Sequence, residues 1–90
     1  MRRIGIGVVG CGYIFDAYMK AAANFPVLDI RTVTDLQPAA AQRRAAEYGL
    51  EAKPLDAFYD DPAIEIVLNL TVPGAHVEVG MRALAAGKHV

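Results

Sequence analysis

Residues 8–15 read Val-Val-Gly-Cys-Gly-Tyr-Ile-Phe, and the rest of the chain is organised around this stretch. It follows the apolar residues 4–7 and leads directly into a helical pattern. A buried strand, a glycine turn and the start of a helix therefore come one after another. An α/β protein holds the phosphates of a nucleotide at such a turn. Gly10 and Gly12 match the first two glycines of the dinucleotide-binding fingerprint, but Phe15 occupies the third glycine position.

The composition restricts the class of protein. Ninety residues make at most one domain, and 21% charged residues with a net charge of −1 predict neither a nucleic-acid nor a membrane partner. No apolar stretch approaches the ~18–20 residues that span a bilayer. Cys11 is the only cysteine, so no intramolecular disulfide can form, as is typical of a reducing compartment. We therefore expect a cytoplasmic protein.

The remaining chain alternates strands with helices. The predicted elements are a strand at 3–9, a helix from about Tyr13 to Asn24, a strand at 28–34, a helix at 38–48, a short edge strand at 52–53, one or two helical turns from Asp56, a strand at 64–70, a helix between Pro73 and Gly87, and the opening of another strand at 88–90. This order predicts an α/β fold, a Rossmann-like doubly wound parallel sheet with its first four to five strands. We interpret residues 1–90 as an incomplete dinucleotide-binding domain.

Hydrophobic periodicity predicts the face that each helix turns toward the sheet. The predicted inner residues are Ile14, Ala17, Tyr18, Ala21, Ala22 and Phe25 in the first helix, Ala41, Ala45 and Tyr48 in the second, and Val77, Met81, Leu84 and Ala85 in the last.

The glycine turn is the candidate phosphate site. The backbone N–H groups of Tyr13 and Ile14 would lie at a helix N-terminus, where unpaired donors and the helix dipole favour a pyrophosphate. Gly10 would permit the tight turn, and Gly12 would let the phosphates approach a backbone without a Cβ. The alternative is that both are ordinary turn glycines.

Asp35, which ends the second predicted strand, is the candidate ribose ligand. A carboxylate there can accept both hydroxyls of the adenosine ribose and repels a 2′-phosphate. Leu36 and Gln37 follow it rather than Arg, so the sequence favours NAD over NADP, with Leu36 beside the cofactor. The alternative role is a turn aspartate or helix cap before Pro38.

Residues 69–76 follow the third main strand, at the point where open α/β sheets bind ligands. We expect the nicotinamide half of the cleft to be lined by Leu70, Thr71, Val72 and Pro73. The positive end of the last helix disfavours protonation of His76. His76 is therefore predicted to make a hydrogen bond at the helix start or to contact the edge of the cofactor. His89 and Cys11 lack partners for a metal site or a nucleophile, so no catalytic or metal-binding role is assigned.

Phe15 is the discordant residue. A large ring at the third position would cost ~1–3 kcal/mol by overpacking unless the helix is displaced. Two alternatives remain open: the ring shields the cofactor site or contacts another domain, or it is a core aromatic on a slightly shifted helix.

Four stretches occur together and in order, namely residues 10–18, 33–35, 69–73 with His76, and 86–90. In this combination the chain resembles the N-terminal domain of the glucose–fructose oxidoreductase and inositol dehydrogenase family. The resemblance implies an NAD(P)-dependent oxidoreductase that acts on a sugar, a polyol or a related alcohol. In that family the third fingerprint position is normally glycine, alanine or serine, so Phe15 departs from the pattern.

The resemblance also implies where the catalytic groups are. The family has a Glu-Lys-Pro motif a few residues beyond the segment that matches 88–90, and its lysine acts with residues of a following domain. None of these positions exists in this chain, so we expect the chain alone to be inactive.

Other functional classes remain open to test. One is a non-catalytic Rossmann-like module that senses a nucleotide or binds another protein. The sequence disfavours a methyltransferase, which would usually carry an acid two positions before the first glycine, because this chain has Val8 there and no acid before Asp16. We also expect homo-oligomers, formed through an exposed edge of the strand at 64–70.

Overall fold

The computed structural model describes residues 3–12 and 14–90. The described residues form four strands and four helices: β1 (Ile4–Val9), α1 (Phe15–Ala22), β2 (Leu28–Thr34), α2 (Pro38–Tyr48), β3 (Glu51–Ala52), α3 (Leu55–Asp60), β4 (Ile66–Asn69) and α4 (Pro73–Ala85). All strand pairs are parallel, in the order β3-β2-β1-β4. The predicted Rossmann-like α/β fold is confirmed.

The strand order places a switch point beside β1. From β1 the chain moves outward through β2 to β3 on one side, and then crosses to β4 on the other side. At such a point the connections leave the sheet in opposite directions and open a crevice at the carboxyl ends of the strands. The crevice here lies between the ends of β1 and β4.

The core has two layers, one on each face of the sheet, because successive residues of β1 point to opposite faces. Val8 packs with Phe15, Val33 and Ala41, which come from α1, β2 and α2. On the other face Val9 belongs to a cluster of residues from α3, β4 and α4. Both valines are at most 2% exposed, which confirms that β1 is covered on both faces.

The predicted inner face of α1 is wrong. Ile14, Tyr18 and Phe25 are 42%, 41% and 57% exposed, whereas Phe15 is 1% exposed. The helix begins at Phe15, and Met19, four residues later, packs against the same cluster. The large ring occupies the buried position and rotates the inner face by one residue.

The predicted inner face of α4 is also wrong, whereas that of α2 is confirmed by Ala41, Ala45 and Tyr48. In α4 the buried residues are Val79 and Ala83, four residues apart. The expected inner residues Val77, Met81 and Leu84 are 75%, 62% and 58% exposed. Helix α4 therefore packs inward through Val79 and Ala83, while Met81 and Leu84 point outward.

Several predicted boundaries shift by one or two residues. Strand β4 is shorter than 64–70, β3 lies one residue earlier than 52–53, and α3 begins at Leu55. The predicted further strand is present as a single parallel bridge between Ile66 and His89. Within residues 3–12 and 14–90, no helix is both long and apolar enough to cross a membrane.

Candidate functional site

Gly10 follows the end of β1 and lies directly against the backbone of the loop that follows β4. Its φ is +102°, a conformation that L side chains rarely adopt, and its N–H donates to the carbonyl of Thr34 at 3.0 Å. A Cβ on Gly10 would lie 2.8 Å from the carbonyl of Leu70. The fold itself therefore requires glycine at position 10, as the tight-turn prediction expected.

Gly12 is different because the fold leaves the space beside it open. Its backbone has no positive φ, and an added Cβ would meet no atom within 4 Å. Ile14 follows as the N-cap of α1, with a half-exposed side chain. Tyr13, also predicted to contact the phosphates, lies outside the described residues. Nothing in the packing of the described chain explains a glycine at position 12.

Asp35 connects the glycine turn to the end of β2. Its Oδ2 accepts the backbone N–H of Cys11 at 2.9 Å, and its Oδ1 accepts that of Gln37 at 2.8 Å. The carboxylate thus lies beside the turn, at the end of β2. The bond to Gln37 also fits the alternative role of a turn aspartate.

The loop between β4 and α4 is organised by Asn69. Its Oδ1 accepts the backbone N–H of Thr71 at 3.3 Å and the Thr71 hydroxyl at 2.6 Å. Its Nδ2 donates to the carbonyl of His76 at 2.9 Å. Val72 is extended and Pro73 begins the helix. The Asn69 side chain therefore fixes the strand-to-helix connection.

These segments enclose a cleft of about 350 Å³ at the carboxyl ends of the strands. Of the predicted site residues, it is lined by Gly10, Gly12, Asp35, Leu36, Leu70, Thr71 and Val72. Sequence reasoning did not include the other lining residues, which are Val9, Cys11, Gln37, Leu55, Ala75 and Val79. Ile14, Pro73 and His76 lie near this end of the sheet but do not line the cleft, and the His76 side chain is exposed.

Phe15 does not line the cleft either. Its ring lies in the core beside Val33 and Ala41, with the Tyr48 ring centroid 5.6 Å away. The interpretation of Phe15 as a core aromatic is therefore confirmed, and the ring does not shield the site. The small side chain of Ala41 belongs to the same cluster, and that of Ala45 packs against it.

Arg44 contacts the glycine turn from outside the cleft, and sequence reasoning missed it. From α2 its Nη2 donates to the carbonyl of Gly12 at 3.1 Å, and its Nε donates to that of Cys11 at 3.5 Å. The guanidinium carbon lies 5.0 Å from the centroid of the Phe15 ring. A single arginine on the polar side of a helix gave no signal that it reaches a turn more than thirty residues earlier.

The titratable side chains that line the cleft include the Cys11 thiol and the Asp35 carboxylate. Burial, and then the neighbouring Asp35 carboxylate, raise the pKa of the Cys11 thiol to about 11, so it remains protonated at neutral pH. Within the described part of the chain, no three His, Cys, Asp or Glu residues form a group that could hold a metal ion.

Comparison with known proteins identifies the family to which the chain belongs. Residues 4–90 match the model of a family described as "Oxidoreductase family, NAD-binding Rossmann fold". An inositol 2-dehydrogenase/D-chiro-inositol 3-dehydrogenase of Lactiplantibacillus plantarum is 34% identical over 92% of this chain. The chain spans 25% of the length of that relative.

Solved structures agree with this family. GenD2 from gentamicin A biosynthesis, in complex with NAD, is 25% identical, with a TM-score of 0.88 over 98% of this chain and 26% of its own. KijD10, a 3-ketoreductase from Actinomadura kijaniata in complex with NADP, is 27% identical, with a TM-score of 0.86 over 99% of this chain and 28% of its own. The chain therefore belongs to the NAD-binding Rossmann oxidoreductase family that includes the inositol dehydrogenases, as the sequence resemblance predicted.

Proposed function

We propose that residues 1–90 are a dinucleotide-binding domain that holds NAD in the cleft at the ends of β1, β2 and β4. The protein to which it contributes would transfer a hydride between nicotinamide and a hydroxyl carbon of a sugar, polyol or related alcohol. One observation carries the proposal: the Gly10–Gly12 turn, the Asp35 carboxylate and the β4–α4 loop converge on one cleft at the switch point.

The pyrophosphate is assigned to the open space at Gly12 and the start of α1. Because an added Cβ at Gly12 would touch nothing, glycine there suits a ligand that approaches the backbone closely. The N–H groups of Tyr13 and Ile14 would donate to the phosphate oxygens. This assignment explains a glycine that the fold alone does not require.

The adenosine ribose is assigned to Asp35, with Leu36 beside it. Each carboxylate oxygen already accepts one backbone N–H, which leaves a further acceptor position on each for a ribose hydroxyl. Leu36 is 68% exposed and can cover the adenosine. The nicotinamide half is assigned to Leu70, Thr71, Val72 and Pro73, with His76 at the edge of the cofactor.

NAD is preferred over NADP because no Lys or Arg is among the described residues that line the cleft. A 2′-phosphate would meet the Asp35 carboxylate without a cation to offset the repulsion. The solved relatives include complexes with either cofactor, so the preference rests on these residues of the present chain.

The proposed substrate class follows from the inositol dehydrogenase relative. Because the chain spans about a quarter of that protein, we propose that the groups handling the alcohol proton belong to its remaining three quarters. The 90-residue chain alone would then bind the dinucleotide without turnover. Oxidation of any polyol by the purified chain would contradict this division.

Calorimetric titration of the chain with NADH and NADPH tests the proposal. We expect NADH to bind more tightly, and Asp35→Asn to weaken NADH binding ~10-fold while leaving NADPH binding equal or stronger. Gly12→Ala should weaken NADH binding without lowering the melting temperature, because the new methyl group meets no protein atom. Tighter binding of NADPH by the unmodified chain would refute the cofactor assignment.

Self-association through β4 is a separate proposal. The backbone of His89 pairs only with the start of this strand and the residue before it. The His89 carbonyl accepts the backbone N–H of Val67, and the His89 backbone N–H donates to the Glu65 carbonyl. Among the described residues, no strand lies beside Leu68 and Asn69 on that edge. An open edge of this kind pairs readily with another chain. Light scattering at high micromolar concentration should show dimers or larger species, and a monodisperse monomer would contradict the proposal.

A further inference from the structure

We infer that Arg44 is a positioning residue for the dinucleotide, acting through the glycine turn and through the charge of Asp16. The inference rests on the proposed function, because it concerns how the same turn is prepared for a pyrophosphate. Arg44 lies outside the lining of the cleft, so its action on the ligand would be indirect.

The guanidinium of Arg44 is held from several sides. It donates to the carbonyls of Gly12 and Cys11 and stacks over the Phe15 ring. Its remaining nitrogen, Nη1, donates to Asp16 at 3.0 Å and to Glu47 at 3.3 Å. The Arg44 side chain is only 14% exposed, so the guanidinium is packed against the turn.

These contacts orient the peptide groups of the turn. In a trans peptide the N–H points opposite to the C=O. Because the Cys11 carbonyl is drawn toward α2, the N–H of Gly12 is directed away from α2. A phosphate needs N–H groups on its side of the turn and carbonyls on the other side. Arg44 thus holds the carbonyls of the turn on the side away from the phosphate.

The second effect is on charge. Asp16 lies in the first turn of α1, where its carboxylate would repel a pyrophosphate bound at the same helix end. A hydrogen bond from the Tyr48 hydroxyl, and then the nearby Arg44, hold the pKa of Asp16 below its usual value, so it remains ionised. The Arg44 charge offsets it. Loss of Arg44 would leave two carboxylates, those of Asp16 and Glu47, beside the turn.

The test compares NADH, which contains a pyrophosphate, with adenosine, which contains no phosphate. Arg44→Met keeps an apolar stem over Phe15 and removes the donors and the charge, while Arg44→Lys keeps the charge without the forked donors. For Arg44→Met we expect NADH affinity to fall at least ~10-fold and adenosine affinity to stay within ~2-fold. Adding Asp16→Asn to Arg44→Met should restore part of the NADH affinity, because it removes a carboxylate that has lost its Arg44 partner.

A measurement on the ligand-free protein separates orientation from charge. The amide resonance of Gly12, followed by NMR, should shift in Arg44→Met and stay shifted when Asp16→Asn is added. Folded Arg44→Met with unchanged NADH affinity, or with equal losses for NADH and adenosine, would overturn the inference. Should Arg44→Met fail to fold, Arg44→Lys must still show a loss confined to NADH. Failure of the unmodified chain to bind NADH would instead overturn the proposed function.

Discussion

Two strand-to-helix connections face each other across the cleft, and they are built differently. The β1–α1 turn is hydrogen-bonded to β2 through Thr34 and Asp35 and to α2 through Arg44, and its helix buries Phe15. The β4–α4 loop is organised mainly by its own Asn69, and its helix buries only Val79 and Ala83. The wall proposed to hold the phosphates is thus tied to β2 and α2, whereas the opposite wall depends mainly on local contacts.

The largest effect is expected in the first connection, at Phe15. Phe15→Ala should lower the free energy of unfolding by about 3–5 kcal/mol, because it leaves a cavity among Val8, Val33 and Ala41. Phe25→Ala is the matched control, since that ring is 57% exposed and its loss should cost far less. Urea denaturation measures both, and Phe15→Leu, with a smaller expected loss, serves if the alanine variant does not fold. Equal effects at the two phenylalanines would show that α1 packs through the face predicted from periodicity.

The two connections meet at Gly10, which gives the second-largest effect. Gly10→Ala should destabilise the protein by about 2–4 kcal/mol, because φ is +102° and the methyl group would press on the Leu70 carbonyl. Gly74→Ala, in the first turn of α4, should instead be neutral or stabilise by up to about 1 kcal/mol, since a Cβ there meets no atom within 4 Å. Thermal unfolding of the two variants measures the contrast. A Gly10→Ala variant as stable as the unmodified protein would mean that the two loops are not in contact.

The difference between the connections also explains what the sequence could and could not predict. The alternation of strands and helices, the Gly10 turn and the place of Asp35 carry local signals, because glycine and an acid at the ends of apolar strands are typical of this fold. The sequence has no such local signal for which face of α1 or of α4 packs against the sheet. Both helices have apolar residues on more than one face. The periodicity of apolar residues therefore does not decide which face packs against the sheet.

Arg44 lies beyond local prediction for another reason. Its partners are backbone carbonyls of Cys11 and Gly12, which no pattern of side chains reveals. The sequence left open whether the Phe15 ring lies in the core or at the cofactor site, because the residue at the third fingerprint position limits how closely the helix can approach its strand. The answer depended on Ala41 and Ala45, which lie in a different helix.

A smaller effect is expected at Tyr48, whose hydroxyl donates to Asp16 and so supports the first connection. The pKa of Asp16 in the folded protein lies below its ordinary 3.8, so the stabilisation is present above that pH and is lost as the pH falls through the lowered pKa. Tyr48→Phe removes the main cause of the shift and keeps the ring beside Phe15. The melting temperatures of variant and unmodified protein should differ near neutral pH and converge below pH 3.8. Tyr18→Phe is the control, and a Tyr48→Phe gap that does not change with pH would contradict the assignment.

The smallest effect is expected at Val77 on the outer face of α4, and Val79 on the buried face of the same helix gives a matched comparison. Val77 is 75% exposed, and Val77→Ala should change stability by no more than about 0.5 kcal/mol. Val79 is 7% exposed, and its carbonyl accepts the Tyr59 hydroxyl at 3.3 Å. Val79→Ala should therefore cost about 1–3 kcal/mol, because a buried side chain is shortened. Urea titration at low and high protein concentration separates the two causes of a loss at Val77. A loss at both concentrations would show that Val77 packs inward, whereas a loss only at high concentration would show that a second copy covers this face.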